Sequence, residues 1–190
     1  TQPRIADLLA CSLSVTVFIF SSLQLSAPIA DKVLNGGAEL VGYLLAASGA
    51  GALFGVIVVA PQIQRIDRAG MALTIVLFWS GLWLVLTSFF TWAPLTIFGI
   101  FCYSVTIPVV LASVGALIQM LAPADMRARL LSVSSMLSTG VQPLGALMVG
   151  WMGNALGPMV AIRVNGLLMA AIALGLLALH REFRRWVVVR

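Results

Sequence analysis

The chain has 190 residues, 61% of them hydrophobic and 9% charged, with a formal net charge of +5. An ordinary soluble domain carries about 25% charged residues, and a core of this size hides only about two thirds of the chain's surface, so water is excluded as its sole solvent. The positive charge does not mark a nucleic-acid partner, because the arginines fall in short loops between apolar runs without interleaved aromatics.

Six segments are apolar over the roughly 20 residues that a membrane crossing needs: 5–28, 40–60, 71–90, 94–121, 130–152 and 158–179. Continuous runs of this length predict helices rather than barrel strands, which would be half as long and alternate in polarity. The expected fold is therefore an all-α membrane domain of six spans followed by a tail at 180–190. The chain opens at Thr1 with no charged leader and cleavage site ahead of the first span, and it reads as a portion of something longer.

Span one is the most polar, with Ser12, Ser14, Thr16, Ser21, Ser22 and Gln24. Ser14, Ser21 and Gln24 share one helical face by their spacing of seven and three. Hydroxyls bonded to their own helix backbone are the competing explanation. Span two is rich in small residues from Ser48 to Gly55, and Gly51 and Gly55 form a GxxxG pair that predicts close helix contact in lipid. The loop after it carries Arg65, Asp67, Arg68 and Gly70.

Span four offers Cys102, Ser104, Thr106 and Ser113 as polar candidates, and Pro108 predicts a kink. A short loop with Pro123, Asp125, Arg127 and Arg129 leads into span five. There Ser135, Ser138 and Gln142 make a polar stripe, Pro143 predicts a second kink, and Gly145 and Gly150 favour close packing. Packing against a neighbouring helix explains that stripe as well as a cavity does. In span six Arg163 and Asn165 lie close enough to one end to be expected as anchors at the membrane interface.

The tail residues Arg181, Arg184, Arg185 and Trp186 have the composition of an anchor for anionic lipid. His180 is the sole histidine, which excludes paired-histidine haem ligation and histidine-rich metal sites. Cys11 and Cys102 both lie in apolar runs and imply no disulfide framework. Without a Ser/His pair, an HExxH motif or paired intramembrane aspartates, neither an enzyme nor a cofactor is expected.

If six spans alternate, Arg4, Arg65, Arg68, Arg127, Arg129 and the tail arginines share one side. Short loops rich in Lys and Arg stay in the cytoplasm, so both termini are expected there. Spans one to three and four to six then run in opposite senses, with the glycine-rich members at spans two and five. That is the layout of a 3+3 inverted repeat, which places binding sites near the midplane.

The residues Gln119, Pro123, Arg127-Ala128-Arg129, Ser132, Pro143-Leu144-Gly145 and Gly150 resemble the C-terminal half of a major facilitator superfamily transporter. The similarity is to the drug and siderophore exporters related to the enterobactin exporter. Asp67-Arg68-Ala69-Gly70 is similar to the tail of that superfamily's repeated loop element, although its upstream glycine is replaced by Ile63. The resemblance implies a multi-pass antiporter of the bacterial inner membrane that effluxes an amphipathic small molecule by alternating access. It further implies a six-helix N-terminal half as partner, and proton coupling through a carboxylate in that half.

By the same resemblance, spans one and four line the substrate cavity, with Ser14, Ser21, Gln24, Cys102, Ser104 and Thr106 as contacts. Asp67, Arg68, Gly70, Arg127 and Arg129 would form the cytoplasmic gate. The rival reading of the same sequence is a stand-alone six-span scaffold or a homodimeric half-size carrier.

Overall fold

The computed structural model describes residues 2–65, 69–121 and 125–179, and their regular secondary structure is entirely helical. Long apolar runs become helices because hydrocarbon offers the backbone no partners, and a helix satisfies its amides within the segment. The first run is α1 (Gln2–Ser14), a π-helical segment π1 (Val15–Phe20) and the single turn α2 (Ser21–Leu23). A turn at Gln24 and Leu25 separates these from α3 (Ser26–Lys32). The second run is α4 (Gly37–Phe54), a second π-helical segment π2 (Gly55–Val59) and α5 (Ala60–Arg65). There follow α6 (Ala69–Thr87), α7 (Ala93–Ser104), α8 (Thr106–Leu121), α9 (Arg127–Ala155) and α10 (Pro158–Leu179).

Connections are short, and their chemistry follows from the residues. The backbone turns between α3 and α4 through Asn35 (φ 50°) and Gly37 (φ 61°), and between α9 and α10 through Gly157 (φ 93°). These left-handed values are tolerated by glycine and asparagine. Trp92 is extended before α7, and Pro94 occupies its first turn, where a missing N–H is harmless.

Five helical stretches are long and apolar enough to cross a bilayer: Leu8–Lys32, Gly37–Ile63, Gly70–Thr87, Ala93–Met120 and Pro158–Ala178. The region expected as span five, 130–152, lies within the 29-residue α9, which is long enough at about 1.5 Å per residue. It does not reach the same apolarity, because Ser132, Ser134, Ser135, Ser138, Thr139 and Gln142 dilute it. Span one extends beyond 28 to Lys32, while the third helix ends at Thr87 rather than near 90.

The two prolines act differently. The helix gives way at Val105, between α7 and α8, where Pro108 has no N–H for the carbonyl four residues back at Ser104. Pro143, by contrast, sits inside α9 without interrupting it.

Packing is dominated by α6 against α10, α4 against α7, α6 against α7 and π1 against α9. The buried core draws Leu8, Val15 and Ile19 from the first run, Leu73, Leu77 and Leu84 from α6, Ile100 and Tyr103 from α7, and Ile162 and Met169 from α10. Cys11 and Cys102 are buried within the bundle.

Candidate functional site

Glycines set the helix spacing at three seams. A Cβ placed on Gly51 would strike the Phe101 carbonyl oxygen, and one on Gly55 would strike that of Val105. The two contacts advance together along both helices, as parallel neighbours require. On α9, a Cβ at Gly145 would meet Ser21 Oγ and, at 3.0 Å, the Val17 carbonyl, while one at Gly153 would come within 2.8 Å of Leu25. These contacts too advance in parallel. Gly81 and Gly166 face each other across α6 and α10, each with backbone atoms of the other helix 2.8–2.9 Å from a would-be Cβ. Here the contacts run antiparallel.

A hydroxyl pair accompanies each parallel seam. Ser12 Oγ and Ser138 Oγ lie 2.8 Å apart between α1 and α9, and Ser104 Oγ donates to Ser48 Oγ at 3.2 Å between α7 and α4. In hydrocarbon such hydroxyl contacts between helices contribute on average about 0.6 kcal/mol each. Their value lies as much in fixing rotation about the helix axis as in energy.

The residues assigned by resemblance to a cavity are mostly interior. Ser14 is buried and donates to the Ala10 carbonyl at 2.7 Å. Ser21 and Thr106 are fully buried with hydroxyls that have no hydrogen-bond partner among the described residues. Cys102 and Ser104 are buried, and Gln24 is exposed. The common face predicted for Ser14, Ser21 and Gln24 is lost because π1 and the turn at Gln24 shift the helical phase between them.

Of the residues assigned to a gate, Asp67 and Arg68 lie outside the described residues. Gly70 is buried, and its carbonyl accepts the Thr74 hydroxyl at 2.8 Å. Arg127 and Arg129 are exposed at the start of α9, beside the exposed Asp125. Among the packing glycines, Gly150 points away from the bundle with nothing within 4 Å of a would-be Cβ, and Gly153 takes the packed position instead.

Asn165 corrects an expectation. It is completely buried rather than interfacial, and its Nδ2 donates to the Phe18 carbonyl at 3.3 Å and to Ser22 Oγ at 3.0 Å. Ser22 itself donates to the same carbonyl at 2.6 Å. Phe18 lies in π1, and its carbonyl accepts these side-chain donors in addition to the backbone N–H of Ser21. The Oδ1 of Asn165 has no partner among the described residues.

Two helices show a second, unpacked face opposite their seams. On α4 it carries Gly42, Ala46, Gly49 and Ala50, all exposed. On α9 it carries Ser132, Ser135, Thr139, Gly140, Pro143 and Leu147, also exposed. Would-be Cβ atoms on Gly42, Gly49 and Gly140 meet nothing within 4 Å. The α9 face includes a shallow open depression of about 740 Å³ lined by Leu131, Ser132, Ser135, Met136, Thr139 and Gly140. No cluster of His, Cys, Asp and Glu that could hold a metal ion occurs among the described residues.

Compared with family models, curated proteins and solved structures, the chain matches none.

Proposed function

We propose that this chain is one six-span half of a secondary transporter, working by rocking against a second six-helix unit. The observation that carries the reading is the way its packing exchanges under a 3+3 inversion. Swapping spans one to three with four to six turns the α4/α7 seam into the α9/π1 seam. Both are parallel, both set glycine against backbone, and both bear a Ser–Ser contact. The antiparallel α6/α10 seam maps onto itself through Gly81 and Gly166. A bundle without internal symmetry has no reason to repeat these relations, whereas inverted-repeat carriers are built on them.

The unpacked faces of spans two and five support the same reading. Serine and threonine on a membrane helix gain little from lipid, and exposed glycine and alanine suit close approach by another helix. These faces are where the second unit would dock and slide. With Arg65, Arg68, Arg127 and Arg129 in the cytoplasm, docking would leave the midplane between the halves for an amphipathic substrate, exported against a proton gradient. Gln24, the one assigned cavity residue that is exposed, is the natural first contact to test.

The test is efflux of an amphipathic dye from proteoliposomes holding the native polypeptide under an imposed pH gradient. Gradient-driven efflux is expected, and Gly49→Trp or Gly140→Trp should abolish it without loss of folded protein, since neither site is occupied within this chain. Absence of gradient-driven efflux, or efflux unchanged by both tryptophans, would overturn the proposal. A homodimer of this chain would instead appear as a cross-linked pair through the same faces.

A further inference from the structure

Arg163 is held by both a hydrogen bond and a ring. It lies near the start of α10 and is half-buried. Its Nε–H donates to Ser88 Oγ at 3.1 Å, and Ser88 donates its own O–H to the Val85 carbonyl at 2.6 Å, which turns an oxygen lone pair toward the guanidinium. The Phe89 ring lies beneath, with its centroid 4.1 Å from the guanidinium carbon, well inside cation–π range. Both partners sit just beyond α6, in the connection that also carries Phe90 and Trp92. Tryptophan favours the level of lipid headgroups, where its amphipathic ring is half in water.

A guanidinium carries five N–H donors, and Ser88 engages one, which leaves four on the two terminal nitrogens. No Asp or Glu among the described residues pairs with Arg163. An arginine that merely reached for water would need no restraint. Here the Nε bond and the ring fix the plane of the fork, and a fixed fork matches two oxygens of a phosphate.

We propose that Arg163, steadied by Ser88 and Phe89, binds the headgroup phosphate of a phospholipid at this end of the α6/α10 pair, favouring anionic lipid. The proposal needs only that these helices lie in a bilayer, and does not depend on transport.

The experiment is native mass spectrometry of the purified full chain released from micelles containing phosphatidylglycerol or phosphatidylcholine. Wild type should retain phosphatidylglycerol, and Arg163→Gln should retain roughly tenfold less, as loss of a charged hydrogen-bonding partner implies. Arg163→Lys, which keeps the charge without the fork, and Phe89→Leu, which removes the ring, should each give an intermediate loss. Arg129→Gln, an exposed arginine at the start of α9, should leave retention near wild type. Equal retention by wild type and Arg163→Gln, or an equal loss in Arg129→Gln, overturns the proposal. Displacement of the lipid by millimolar inorganic phosphate would assign the site to a soluble anion and overturn the lipid assignment. Should Arg163→Gln fail to fold, Phe89→Leu and Ser88→Ala carry the test, since wild-type retention in both would equally overturn it.

Discussion

The two faces of α4 and its continuation π2 are made of the same residues and behave oppositely. Gly51 and Gly55 meet the backbone of α7 and its continuation so closely that no methyl group fits, whereas Gly42 and Gly49, on the other side of the same helix, meet nothing. Span five repeats the contrast, with Gly145 packed and Gly140 and Gly150 open. Composition does not distinguish a glycine that has found its neighbour from one still waiting for it; position around the helix does.

Substitutions can break this contrast from its strongest side first. Gly51→Ala and Gly55→Ala should each lower stability by about 2–3 kcal/mol, the upper part of the range for overfilling a packed contact, because the obstructing atom is a backbone oxygen that cannot rotate away. Unfolding by denaturant titration in mixed micelles would measure it, and a loss below about 0.5 kcal/mol would dissolve the seam. Gly145→Ala should be milder, since Ser21 Oγ can turn aside.

Next in size is Asn165→Ala, expected to cost about 1–2 kcal/mol by removing the donors that Phe18 and Ser22 accept. Backbone hydrogen exchange near Phe18 should rise with it; an unchanged rate would mean that π1 does not depend on span six. A smaller effect separates the two parallel seams. Double-mutant cycles on Ser12/Ser138 and Ser48/Ser104 should each return a coupling of about 0.6 kcal/mol, and a marked inequality would weaken the proposed inversion between the halves.

The least effect belongs to the open faces. Gly49→Ala and Gly140→Ala should gain about 0.5 kcal/mol in a melting assay of this chain, as glycine does when replaced in an unobstructed helix. Destabilisation there would show that the faces are not open.

Much of the fold was legible in the sequence because hydrocarbon forces long apolar runs into helices, and five such runs are found where length and composition put them. Span five was legible as a helix, but its serines and threonines thin the apolar signal below that of the others. What could not be read was rotation. Neither π1 nor π2 has a residue signature, yet π1 moves Gln24 out of phase with Ser14 and carries the Phe18 carbonyl to which Asn165 donates. A polar residue two places from Arg163, read from spacing alone, belongs at the interface; its burial follows from acceptors on a distant span, the Phe18 carbonyl and Ser22 Oγ. The pairing of Arg163 with Ser88 and Phe89 was hidden for a similar reason, since Ser88 lies 75 positions away in the chain.

The most direct test is oxygen accessibility of spin labels at Gly49→Cys and Gly140→Cys in the membrane-embedded native polypeptide. Ile75→Cys and Leu174→Cys, on exposed faces of α6 and α10, serve as lipid-facing references. If spans two and five dock against a second helical unit, the first pair will be shielded and the second freely accessible. Equal accessibility at all four sites would contradict the account.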